Sequence, residues 1–95
     1  MFVIFLRFAE NRHLAGDHVQ GHNDWIRQGI ADAVFLLVGS LSEGTGGAIL
    51  AHGITRADLE KRLDADPFVA ERIVVTEIVE IQPAVTDQRL AFARS

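Results

Sequence analysis

The chain opens with Phe2-Val3-Ile4-Phe5-Leu6-Arg7-Phe8, apolar at every even position and at Val3 and Phe5. Aromatic and β-branched residues over this length predict a strand covered on both faces. Glu10 to Leu14 is polar and reads as a connection. The period then changes. Val19, Trp25, Ile26 and Ile30 follow helical spacing better than alternation, predicting a helix over about Gly16 to Gln28, with Gly29 weakening the last turn. Ala33 to Gly39 is apolar throughout and is followed by the turn-rich stretch from Ser40 to Gly47. That pattern predicts a buried strand and a hairpin loop, with Ala48 to His52 as the returning strand. Thr55 is placed to cap a second helix, with Asp58 at the capping-box position and Leu59 and Leu63 as its apolar pair; this helix ends near Asp64. Asp66-Pro67 reads as another helix start, opening a short turn through Arg72. Ile73 to Ile81 is the last strand, and Pro83 begins a tail that runs to Ser95.

The element order is therefore βαββαβ, the α+β ferredoxin-like arrangement, in which two helices cover one face of a four-stranded antiparallel sheet. The other face is left bare. Because the first two strands are apolar on both faces, a soluble monomer would expose an unusually large apolar patch. The expected solution is a homodimer through the open sheet face, with Leu90 and Phe92 of the tail lying across the partner.

Composition sharpens this picture. A chain of 95 residues has room for one domain, and 48% hydrophobic residues is a large share for so small a core, which again points to a covering partner. Nine Lys and Arg against thirteen Asp and Glu, with no basic run, argue against nucleic acid and an anionic membrane surface as partners. With no cysteine there is no thiolate nucleophile, disulfide framework or Cys-ligated metal. The short apolar N-terminal segment contains Arg7 and lacks signal-peptide features, so a cytoplasmic location is expected.

Chemistry must then come from histidines, carboxylates and a few hydroxyls. Thr45-Gly46-Gly47 is not followed by the Lys-Ser or Lys-Thr of a phosphate loop, and Ser40 lacks a nucleophile-elbow sequence. His18 and His22 share one side of the first helix at the spacing of a zinc-binding pair. The intervening Val19-Gln20-Gly21, however, lacks the glutamate of such motifs, and no protein metal site is expected. His22, between Val19 and Ile26, falls on the stripe facing the sheet, where an imidazole is either a satisfied core group or a tuned base. Asp66 carries the same ambiguity, since its role as N-cap of the Pro67 turn is sufficient by itself. Trp25 and Phe68 are core residues or walls of a small apolar pocket beside His22.

These features together resemble the YCII-related (YciI-like) family. The resemblance is carried by the βαββαβ order, the apolar first strand, His22-x-x-x-Ile26, Gly39-Ser40-Leu41 after the second strand, and Ala65-Asp66-Pro67-Phe68 before the last strand. It covers Met1 to about Pro83 and leaves residues 84–95 as an unmatched tail; family members often carry Gly-Pro or a similar pair where Gly39-Ser40 stands. The resemblance implies a dimeric α+β barrel, similar in fold to muconolactone isomerases and small cofactor-independent monooxygenases. It also implies a catalytic His–Asp pair, by position His22 and Asp66. The expected function is cofactor-independent proton transfer, an isomerisation or elimination on a small ring or lactone-like substrate. His22 would be the general acid or base and Asp66 would fix its tautomer. Trp25, Phe35 and Phe68 would enclose the substrate, and Ser40 would face a developing oxyanion. The alternative is a non-catalytic dimer that binds a small ligand or a protein.

Overall fold

The computed structural model describes residues 1–94. Strand β1 (Phe2–Phe8) leads through a 3-10 turn at Arg12–Leu14 into helix α1 (Ala15–Ala31). Strands β2 (Phe35–Ser40) and β3 (Gly46–Ala51) form a hairpin. Helix α2 (Arg56–Asp64) and the short helix α3 (Pro67–Ala70) then precede strand β4 (Val74–Glu80), and a 3-10 segment kinked at Leu90 spans Gln88–Arg94. The sheet order is β2-β3-β1-β4 with every neighbouring pair antiparallel, the ferredoxin-like topology expected from the element order.

Alternation in β1 divides the two faces. Phe2, Ile4 and Leu6 point to the helices and pack with Ile49, Leu59 and Leu63 in the core. Val3, Phe5 and Arg7 point the other way, beside Leu50 and Ala48 on β3 and Val79, Glu77 and Val75 on β4. Leu37, Val75 and Val79 lie exposed on this second face. An Arg7–Glu77 ion pair of 2.5 Å spans β1 and β4 there.

Helix α1 differs from its expected form in two respects. Val19 (45% exposed) and Ile30 (48% exposed) lie outside its buried stripe, which is made instead by His22, Trp25, Ile26 and Gly29. Gly29 does not end the helix. It is the point at which the Phe35 ring passes beneath α1, so close that a Cβ there would sit 2.1 Å from a ring carbon. The helix closes three residues later. Ala33 takes a left-handed conformation (φ 60°), and the N–H groups of Ala33 and Val34 donate to the carbonyls of Ile30 and Gly29. This is a Schellman motif with alanine in the place usually held by glycine. It uses up Ala33 and Val34, which is why β2 starts at Phe35.

The hairpin loop is shorter than its Gly- and Ser-rich sequence suggests, because β3 begins at Gly46. There the backbone (φ 143°) runs so close to β1 that a Cβ would lie 1.8 Å from the Leu6 carbonyl oxygen, and only glycine permits the pairing. Between β2 and β3 the register shifts, Phe35 pairing with Ala51 and Leu37 with Leu50. The extra residue, Leu36, is a bulge that reverses the alternation of β2. Val38 and Ser40 are thereby turned to the helical side of the sheet, the same side as Phe35.

Both helix caps form as their sequences predict. Thr55 Oγ1 accepts from the Asp58 N–H at 3.2 Å, and Asp66 accepts from the Phe68 N–H at 3.0 Å. The end of the tail is seated on its own chain, with Ala93 buried and the Phe92 ring edge-on to His52 at 5.1 Å between centroids. Leu90 and Phe92 keep large exposed areas. No helix among the described residues is long and apolar enough to cross a membrane.

Candidate active site

Helices α1 and α3 meet at Gly21 and Pro67, where a Cβ on Gly21 would lie 3.2 Å from Pro67 Cγ. His22 follows Gly21 in α1, and Asp66 precedes Pro67 as the N-cap of α3. His22 Nδ1 lies 2.8 Å from Asp66 Oδ1, and the same oxygen accepts the Phe68 N–H that caps α3. One oxygen of Asp66 therefore both caps α3 and meets the His22 ring. Toward an ionised carboxylate, which only accepts, Nδ1 is the donor, and Nε2 has no hydrogen-bond partner among the described residues.

Asp66 is completely buried, and its second oxygen, Oδ2, has no hydrogen-bond partner. A buried carboxylate needs compensation, and here it comes from the His22 imidazole and the Phe68 N–H. The His22 side chain is 17% exposed. One side of its ring is occupied by Phe68, stacked with centroids 3.9 Å apart and planes within 4°. The Schellman turn that ends α3 holds Phe68 in turn: Arg72 is left-handed (φ 55°), and the Ile73 N–H donates to the Phe68 carbonyl.

In front of His22 is a cavity of about 430 Å³ between the sheet and the helices. Leu6, Phe8, Ile49 and Val74 supply its floor, and Val38 and Ser40 reach it from β2 because of the Leu36 bulge. His22, Asn23, Ile26 and Phe68 form the opposite wall. Outside the cavity lining, the guanidinium of Arg12 stacks on Phe8 at 4.1 Å from its centroid.

Two expected substrate contacts lie elsewhere. Phe35 is core, 2% exposed beneath Gly29. The Trp25 ring is within 6.1 Å of His22 yet faces away from the cavity. Its Nε1–H donates to the Arg62 carbonyl at 2.9 Å and its edge meets Phe35, so it ties α1 to α2. The reason is angular: on a helix, position 25 is displaced by about 60° from position 22. Asn23, conversely, lines the cavity although it stands off the apolar stripe, and no pattern in the sequence singles it out. Among the described residues no group of three or more His, Cys, Asp or Glu is close enough to hold a metal ion.

Charge contacts lie after the C-terminal end of α1 and in the connection that precedes it. The Gln28 amide and the Arg62 guanidinium hold the Asp32 carboxyl below its usual range at the C-terminal end. Near the N-terminal end, Arg72 hydrogen-bonds Glu10 and lowers the pKa of that carboxyl, while the pKa of Arg72 rises.

No protein-family model matches the chain, and no curated protein matches it. Among solved structures, it is similar to 5-chloro-2-hydroxyhydroquinone dehydrochlorinase from Burkholderia phenoliruptrix AC1100 in complex with 2,5-dihydroxybenzoquinone. The match has a TM-score of 0.70 at 12% identity and covers 88% of this chain and 96% of that one. The two chains share a fold. Identity this low carries the architecture alone; within it, a four-stranded antiparallel sheet backed by helices serves an enzyme in the dehydrochlorinase.

Proposed function

We propose that this protein is a YCII-related, cofactor-independent acid–base enzyme that carries out an elimination or isomerisation on a small ring substrate. The observation that carries the reading is the 2.8 Å contact of His22 with a fully buried Asp66 at the wall of an otherwise mostly apolar cavity. In an elimination, His22 Nε2 takes a proton from the ring substrate and the released electron pair forms a new π bond. The leaving group then departs from the neighbouring carbon with its bonding electrons. Asp66 stabilises the imidazolium, and the proton passes from Nε2 to solvent to complete the loss of H–X. Ser40 Oγ–H is available to an oxygen that gains charge during the step. The dehydrochlorination performed by the structural neighbour, on a chlorinated hydroxyhydroquinone, favours elimination over isomerisation.

The open sheet face is proposed to pair with that of a second copy, forming the dimeric barrel. Val3, Phe5, Leu37, Leu50, Val75 and Val79 make this face apolar across all four strands, and Arg7 and Glu77 supply paired charges on it.

The test is turnover of chlorinated hydroxyhydroquinones followed by chloride release, comparing the protein with His22→Gln. Chloride release that depends on His22 supports the reading. A fully folded His22→Gln protein with unchanged turnover would sink it.

A further inference from the structure

Among the described residues, three polar side chains line the cavity: His22, Asn23 and Ser40. No Lys, Arg, Asp or Glu lines it among the described residues. Asn23 and Ser40 make no side-chain hydrogen bond among the described residues, although each offers both a donor and an acceptor. We propose, on the basis of the acid–base reading of this site, that the cavity selects an uncharged ring bearing at least two oxygen substituents. Ser40 and Asn23 read these oxygens, and carboxylated or phosphorylated rings are rejected.

Three physical points support this. A cavity of about 430 Å³ is near the lower end of ligand pockets, room for one substituted ring. An anionic ligand group would have to leave water without a matching cation, because Arg12 stacks on Phe8 outside the lining. The His22 imidazolium is not free to serve as that cation. The buried Asp66 carboxylate, with Oδ2 unpaired, already faces it, and a second anion would sit beside the first in a low-dielectric site. Hydroxyl and carbonyl oxygens carry no such penalty. A site built to hydrogen-bond them discriminates against a methyl in the same position, since its own polar groups are then left unpaired.

Three rings of nearly equal shape test the proposal: resorcinol, m-cresol and 3-hydroxybenzoate, titrated into the 15N-labelled protein. Resorcinol should bind tightest, with shifts at His22, Asn23 and Ser40. m-Cresol should bind about 2- to 10-fold more weakly, and 3-hydroxybenzoate at least about 10-fold more weakly. The double variant Ser40→Ala, Asn23→Ala alters two exposed side chains and should keep the fold while losing the preference for resorcinol over m-cresol. The proposal is overturned if 3-hydroxybenzoate binds as tightly as resorcinol, if the double variant keeps the preference, or if none of the three shifts cavity residues. Turnover decides the acid–base reading separately. Correct ranking without His22-dependent turnover leaves the ligand class standing and removes the enzyme; His22-dependent turnover with 3-hydroxybenzoate ranked first does the reverse.

Discussion

The imidazole of His22 lies flat against the ring of Phe68, 3.9 Å between centroids and within 4° of parallel, while its Nδ1 bonds the carboxylate oxygen that also caps the helix carrying Phe68. Ring plane and ring rotation are thus set by Phe68 of α3 and by Asp66, its N-cap. One short helix positions the histidine of another, and Nε2 is left to the cavity side.

If His22 is the base, His22→Gln should lower kcat/KM by about 10²- to 10⁴-fold with little change in fold. The variant's amide spectrum should match that of the parent away from α1 and α3.

The shared oxygen of Asp66 separates two variants. Asp66→Ala removes the acceptor of both His22 and the Phe68 N–H and should cost about 2–4 kcal/mol in urea unfolding. Asp66→Asn keeps an oxygen for the cap and should cost less, while still impairing turnover because the imidazolium loses its counter-charge. Equal losses of stability in the two would show that the cap contributes nothing.

Leu37, 57% exposed, lies near the middle of β2 on the open face. For a dimer closed through that face, Leu37→Lys or Val79→Lys should convert the protein to monomer in sedimentation, since a lysine ammonium would be buried opposite its own copy. A wild-type protein that sediments as a monomer at tens of micromolar would dispose of the dimer.

Ala33 holds a left-handed conformation that costs a non-glycine residue about 1–2 kcal/mol. After the greater backbone entropy of glycine is deducted, Ala33→Gly should stabilise the protein by about 0.5–1 kcal/mol, read as a higher urea midpoint at unchanged slope. Destabilisation would mean that the Schellman turn is not the native end of α1.

Glu10, Asp32 and Asp87 all have carboxyl pKa values lowered in the fold, each chiefly by a side-chain hydrogen bond: from Arg72, from Gln28 ahead of Arg62, and from Arg89. A lowered folded-state pKa contributes stability above the ordinary value, and that contribution is lost as pH falls through the folded value. Stability should therefore begin to fall near the ordinary values of 4.5 for Glu10 and 3.8 for the two aspartates and continue to fall below them. Asp32→Asn should flatten part of this decline in acid unfolding curves. An unaltered curve would show that the contact with Gln28 and Arg62 is lost to solvent.

Much of this protein is written in local patterns. The alternation of Phe2 to Phe8, the apolar run ending at Gly39, the Thr55 and Asp66 caps and the βαββαβ order are short-range signals, and each holds because strand period, helix period and capping chemistry act over a few residues. They suffice for the fold class and for naming His22, Asp66, Ser40 and Phe68 as residues of interest. What local pattern could not supply was direction. Trp25 and Phe35 are the right residue types for a pocket, but the crossing of α1 over Phe35 at Gly29 turns them into the braces of the helical layer. Ser40 reaches the cavity only because one bulge at Leu36 reverses the faces of β2, and Asn23 joins it because of how α1 is rotated over the sheet. Residues 44 positions apart, His22 and Asp66, meet because two helices close on a glycine and a proline. Contacts of that span depend on how elements pack, and only the tertiary structure decided them.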